Sequence, residues 1–200
     1  MKIVQFFQFI ASYVRAIWQI IRYGPSILQE IKRDPLTSLF NHRFLNQEGK
    51  RILEQAKRSG TNLFLAFLDI DGLKQVNDTY GHHTGDEILK LFAELMSLIF
   101  RRKTDWLGRY QEGADEFWMI IISDDKNHTV ERLDLLVSRF ESSVNDLLRA
   151  RDSSCDVSAS YGIVFLRELP YSATATLEQL IYEAEQMMYR QKRNKGQARA

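Results

Sequence analysis

Six apolar residues in succession, Leu63-Phe64-Leu65-Ala66-Phe67-Leu68, run directly into Asp69-Ile70-Asp71. The run is short, follows a Gly-Thr-Asn turn and does not alternate with polar residues. It therefore reads as a strand buried on both faces rather than one with a wetted side. Such a strand needs helices above and below it, and this one delivers carboxylates at its end.

The rest of the chain supplies those helices. A helical pattern follows Asp34-Pro35-Leu36-Thr37 and runs to Ser59-Gly60. Another is expected from Thr84 to about Phe100, with Thr84 and Glu87 spaced as a capping box. Trp106 to Tyr110 and Phe117 to Ile122 flank a turn-like Gln-Glu-Gly-Ala, which predicts a β-hairpin. Val130 to Arg149 is a further amphipathic helix. Val157 to Leu166 is a strand whose interior Gly162 implies a bulge or a close backbone approach. Leu177 to about Lys192 is the last helix, and Arg193 to Gly196 is expected to fray. The class is α+β, a mostly antiparallel sheet covered by helices. The main domain is expected over 34–200, after a helical segment over 1–33.

With 200 residues, 44% of them hydrophobic, the chain can bury a proper core, which excludes a disordered or fibrous protein. A formal charge of +1 gives no field that would recruit nucleic acid. Cys155, the one cysteine, has no disulfide partner, suits a reducing compartment and reads as a buried strand residue.

The first segment is apolar but interrupted. Ile3, Phe7, Ile10, Val14, Ile17 and Ile21 alternate steps of four and three, the stripe that a coiled-coil seam requires. Arg15, with Gln5, Gln8, Ser12 and Gln19, makes a spanning helix costly. Phe6, Phe9, Tyr13 and Trp18 form a second apolar face, so pairing of two copies and an interfacial helix at the inner membrane face (residues 3–21) both stay open. Gly24-Pro25 ends that helix.

The chemistry gathers at the acidic strand end. If the hairpin lies beside the first strand, Asp115 and Glu116 approach Asp69. Crowded carboxylates repel unless a cation neutralises them, and a few hard oxygen donors suit Mg²⁺, or Mn²⁺, shared with substrate phosphates. Taken alone, the same acids also read as ordinary strand-end and turn residues.

The spacing that follows is more specific. Asp69-Ile-Asp-Gly-Leu-Lys74-Gln-Val-Asn77-Asp-Thr-Tyr-Gly81-His-His-Thr-Gly85-Asp86 resembles the D-x-D-x-F-K-x-x-N-D-x-x-G-H-x-x-G-D motif of the GGDEF family of diguanylate cyclases. Asp34-Pro-Leu-Thr-Ser-Leu-Phe-Asn41, Ser158-Ala-Ser160-Tyr-Gly162 and Ala184-Glu-Gln-Met-Met-Tyr189-Arg-Gln-Lys192 resemble further stretches of that family, so the likeness covers about Asp34 to Gly196. It implies a nucleotidyl-cyclase, palm-like fold and a cytoplasmic homodimer that condenses two GTP into cyclic di-GMP. It also implies that Asp69, Asp115 and the Ile70 carbonyl bind metal and that Glu116 helps activate the attacking hydroxyl. Asn77 and Asp86 then hydrogen-bond guanine, and Lys74 and Lys192 contact phosphate, where a lone lysine would otherwise read as a solvated charge. Arg102-Lys-Thr-Asp105 resembles the family's R-x-x-D product-inhibition site, with Arg109 nearby.

The signature departs from the family. R-Y-G-G-D-E-F becomes Arg109-Tyr110-Gln-Glu-Gly113-Ala114-Asp115-Glu116-Phe117, with two residues inserted and the second glycine replaced. The longer turn is expected to put Gly113 at a left-handed position, keeping Gly113 and Ala114 beside the phosphates. The tail after Lys192 lacks the usual phosphate-binding Arg. Two classes of function follow: an active diguanylate cyclase, and a degenerate domain that acts by binding cyclic di-GMP or GTP.

Overall fold

The computed structural model describes Val14 and residues 31–111, 113–150 and 155–198. The expected apolar helix of residues 3–21 lies, apart from Val14, outside the described residues. Among them, no helix is long and apolar enough to cross a membrane.

The order is α1 (His42–Ser59), β1 (Leu63–Asp71), α2 (Leu73–Tyr80), α3 (His82–Ile99), β2 (Asp105–Arg109), β3 (Glu116–Ile122), α4 (Lys126–Arg149), β4 (Ser158–Phe165), a short 3-10 turn (Leu166–Glu168) and α5 (Leu177–Ala198). The strands form one antiparallel sheet in the order β2-β3-β1-β4, so the apolar run is central. Successive side chains point to opposite faces of a strand. Phe64, Ala66, Leu68 and Ile70 join the core beneath α3 and α4, while Leu63, Leu65 and Phe67 join the one beneath α1 and α5. Both sets are almost fully buried, each large side chain contributing about 1.5–3 kcal/mol.

Four expectations change. The helix placed at Thr84 begins at His82 with Gly81 as its cap, so Thr84 lies inside the first turn and its hydroxyl donates to the Tyr80 carbonyl. The separate helix α2 was not anticipated, because its eight residues are too few for a clear period. Arg193 to Gly196 continue α5 as helix rather than fraying. Lys195 Nζ there donates to the Ala159 carbonyl at 2.5 Å. Cys155 is buried but precedes β4, with its thiol 3.9 Å from the Thr79 hydroxyl.

Two contacts seat the site. Gly162 lies in a regular register opposite Phe67, without a bulge, and α5 passes directly over it. A Cβ there would come within 2.0 Å of the Ala184 carbonyl oxygen and 2.4 Å of the Met188 nitrogen. Arg109 is 4% exposed; it donates from Nε to the Ala114 carbonyl at 2.9 Å and reaches Asp34 Oδ1 at 3.5 Å. Asp34 is itself held by the backbone N–H and hydroxyl of Thr37, at 2.8 and 2.7 Å. One buried guanidinium thus ties the start of the domain to the hairpin turn.

Gly162→Ala is expected to lift α5 and to cost about 2–3 kcal/mol in denaturant unfolding, with the chain still folded. Arg109→Ala strands a buried carboxylate and is expected to cost about 3 kcal/mol, against less than about 0.5 kcal/mol for the exposed Arg102→Ala.

Candidate active site

Strand register assembles the acidic cluster. Asp69 pairs with Glu116 across β1 and β3, and the Ile70 N–H donates to the Asp115 carbonyl at 3.2 Å. Alternation then sorts the side chains. Asp69 and Asp71 share a face with Leu63, Leu65 and Phe67, and Glu116 shares it with Trp118 and Ile120. That is the face α5 covers.

α5 brings a cation to these acids. Lys192 Nζ pairs with Asp69 Oδ1 and lies 3.1 Å from Asp71 Oδ1. Burial raises the pKa of Asp69, the Lys192 hydrogen bond and charge only partly offset it, and the charges of Asp115 and Asp71 push it up further. Burial alone would lower Lys192, but its bonds to Asp69 and Asp71 outweigh that and hold it above the ordinary lysine value. Both values rise, which disfavours the charged form of Asp69 and favours that of Lys192, because Asp69 is the more deeply enclosed, with a side chain 9% exposed against 39% for Lys192. Burial also raises Glu116, reinforced by Asp69, Asp115 and Glu185 and eased by Lys192. A carboxylate held high in this way is the better proton acceptor.

Among the described residues, no three His, Cys, Asp or Glu side chains are arranged to hold a metal by themselves. Two carboxylates and a carbonyl, with a ligand's phosphates, remain a donor set of the hard oxygen type that Mg²⁺ takes.

The α2–α3 corner holds the next residues. Asn77 Oδ1 is buried and has no hydrogen-bond partner. It lies over Gly85, where a Cβ would come within 1.9 Å of it. Asp86 follows Gly85 and is half-buried, two residues further into its helix than the sequence suggested and past the first turn, so the helix dipole does not account for it. Lys74 is exposed on α2.

In the hairpin turn Gly113 has φ +84°, the left-handed conformation expected there, with nothing within 4 Å of an added Cβ. Ala114 is not among the residues with positive φ. In this longer turn the demand for glycine thus falls on Gly113 and not on Ala114.

Of the expected product-inhibition residues, Arg102 and Asp105 stay together and Arg109 departs. Arg102 is exposed, and its backbone N–H donates to Asp105 Oδ2 at 3.2 Å. The Asp105 side chain is fully buried and accepts from Arg132 Nη2 at 2.8 Å. Arg109, expected in the same set, turns inward to Asp34 and Ala114 instead. Arg102, Lys103 and Asp105 line a cavity of about 300 Å³ with Arg33, Phe40 and Trp106.

Reasoning from the sequence did not single out Asp71, Ser158 or Ser160 as site residues. Ser158 and Ser160 hydroxyls donate to Asp71 Oδ2 at 3.2 and 2.6 Å. The Ser-x-Ser-x-Gly spacing in β4, which puts both serines on the face of Gly162, was the available signal.

Comparison with known proteins agrees with this geometry. Residues 31–198 match the family described as diguanylate cyclase, GGDEF domain. Diguanylate cyclase DosC of Escherichia coli is 32% identical over 191 residues, covering 93% of this chain and 39% of that protein. Diguanylate cyclase DgcS of Shewanella oneidensis is 33% identical over 159 residues, covering 80% and 49%. The chain thus spans less than half the length of these curated relatives. The GGDEF domain of DgcB from Caulobacter crescentus, solved with c-di-GMP, superposes with a TM-score of 0.68 at 26% identity over 82% of this chain and 91% of that one. SiaD of Pseudomonas aeruginosa, solved with its activator SiaC, gives 0.70 at 29% identity over 96% and 70%. With its acidic strand end, hairpin and α5 lysine in one sheet-end site, the chain belongs to the GGDEF family of diguanylate cyclase domains.

Proposed function

We propose that the domain condenses two GTP into cyclic di-GMP, with each copy of a homodimer presenting one nucleotide. The observation that carries this reading is the register of Asp69 opposite Glu116, with Asp115 adjacent and Lys192 paired to Asp69. Asp69, Asp115 and the Ile70 carbonyl would hold Mg²⁺, or Mn²⁺ in its place. The ion supplies charge neutralisation at the phosphates and a more acidic attacking hydroxyl. Glu116, its pKa raised, takes the proton as the 3′-oxygen of one GTP bonds to the α-phosphorus of the other and pyrophosphate leaves.

Asn77 and Asp86 set the choice of base. The unpartnered Asn77 carbonyl oxygen and the Asp86 carboxylate are acceptors that suit the N–H edge of guanine, which adenine does not present in the same way. Lys74 and Lys192 hold phosphate as movable point charges. Gly113 and Ala114 would face the phosphates, and the exposed Arg102, its backbone held by the buried Asp105, would meet returning product. The relatives' activity supports the reading, and the lone Cys155 and the need for GTP suit the bacterial cytoplasm. The two-residue insertion favours a second reading, in which the domain binds GTP or cyclic di-GMP without turnover.

Incubating the purified chain with GTP and Mg²⁺ separates the two. Cyclic di-GMP is expected from the wild type and not from Asp115→Ala; its absence from a dimeric wild-type sample would leave binding as the function. Gly85→Ala, which drives a methyl into Asn77, is expected to raise the KM for GTP about tenfold or more while changing kcat less. Unaltered steady-state kinetics would remove Asn77 from base recognition.

A further inference from the structure

Lysine is a flexible point charge, and one that must serve a phosphate needs an anchor to hold it in place. In this chain a fixed carboxylate stands beside the Lys192 ammonium. The Asp71 carboxylate is 15% exposed: Oδ2 accepts from the Ser160 and Ser158 hydroxyls at 2.6 and 3.2 Å, while Oδ1, buried and without a hydrogen-bond partner, ion-pairs with Lys192 Nζ at 3.1 Å. Both serines are buried, at 0% and 1%, on alternate positions of β4. Two rigid strand hydroxyls thus fix the angle at which Asp71 meets the ammonium. Asp69 has no comparable clamp, and its described side-chain hydrogen bond is the one from Lys192.

We infer that Asp71, clamped by Ser158 and Ser160, is the positioning residue that holds the Lys192 ammonium at the phosphates of bound nucleotide, separately from the metal-binding role of Asp69. This rests on the reading of the site as a GTP site. With a divalent cation held at Asp69 the ammonium would lose that partner, and Asp71, fixed by Ser158 and Ser160 rather than by the cation, would retain it. Lys192, 39% exposed, then turns its remaining N–H donors outward to phosphate. The neighbouring cation cannot substitute: Lys195 is spent on the Ala159 carbonyl at 2.5 Å and on Glu141 at 3.5 Å. With no arginine in its usual place after Lys192, the triphosphate depends the more on this one tethered charge.

The test is calorimetric binding of α,β-methylene GTP, which cannot turn over, and of GMP, to the full chain with Mg²⁺. Asp71→Asn is expected to weaken binding of the triphosphate about tenfold and that of GMP less than about twofold, with an unchanged melting temperature. In a Lys192→Met background the same substitution is expected to add nothing, because its effect passes through the lysine. Ser160→Ala is expected to give a smaller loss with the same selectivity and takes the place of Asp71→Asn should that variant not fold. Equal weakening of both ligands, or a full Asp71→Asn effect without Lys192, would overturn the inference in favour of a structural role. A wild type that binds the analogue, with Lys192→Met losing that affinity and Asp71→Asn keeping it, sinks this inference alone. A wild type that binds neither ligand removes the GTP reading together with it.

Discussion

Repulsion among carboxylates at one end of the sheet is the constraint around which the molecule is arranged. Asp69, Asp71 and Glu116 fall on one face because strands alternate, and Asp115 follows from the hairpin turn. Left uncompensated, such a set would protonate or push the strands apart. Lys192 counters it by bridging Asp69 and Asp71. The compensation is incomplete at Asp69 and Glu116, whose raised pKa values record charge that burial makes costly. A site left short of positive charge suits the cation that the proposed function requires, and that shortfall links the fold to its chemistry.

Bringing the lysine there is a matter of packing. α5 can lie on β1 and β4 because Gly162 has no side chain, and its apolar stripe of Leu177, Leu180, Ile181, Ala184 and Met188 continues by helical steps into Lys192 and Lys195. The same helix covers the edge strand, where the Gln191 side chain accepts from the Tyr161 N–H at 2.6 Å. On the far edge, Phe40 bridges to Gly108 and closes β2. Both ends of the site's supporting structure therefore rest on backbone approaches that only small residues permit.

How much of this could be read beforehand depended on the length of the signal. The central strand was legible because six apolar residues ending in acid have few other uses, and the hairpin because its turn residues separate two such runs. The short α2 was not, and its omission misplaced the start of the next helix by two residues, from His82 to Thr84. Asp69, Asp115 and Glu116 were legible from motif spacing. The committed state of Asp105 and Arg109 was not, because their partners Arg132 and Asp34 are 27 and 75 residues away, a separation that no local pattern encodes. The partners of Asp71 were half-legible: the β4 alternation put two serines on the right face but did not say which strand they would meet.

The altered hairpin is where the local rule and the global fold would be expected to conflict, and the backbone shows how they are reconciled. A tight turn needs positive φ at a fixed place, and an alanine there would be strained. With two more residues the turn meets that need at Gly113, while the Tyr110 N–H still donates to the Glu116 carbonyl at 2.9 Å and Arg109 grips the Ala114 carbonyl. The ladder closes at that pair, and Glu116 enters β3 in register with Asp69. The methyl group of Ala114 thus carries no backbone penalty. In the proposed GTP site the methyl group would then act through contact with the nucleotide rather than through misplacement of the acids.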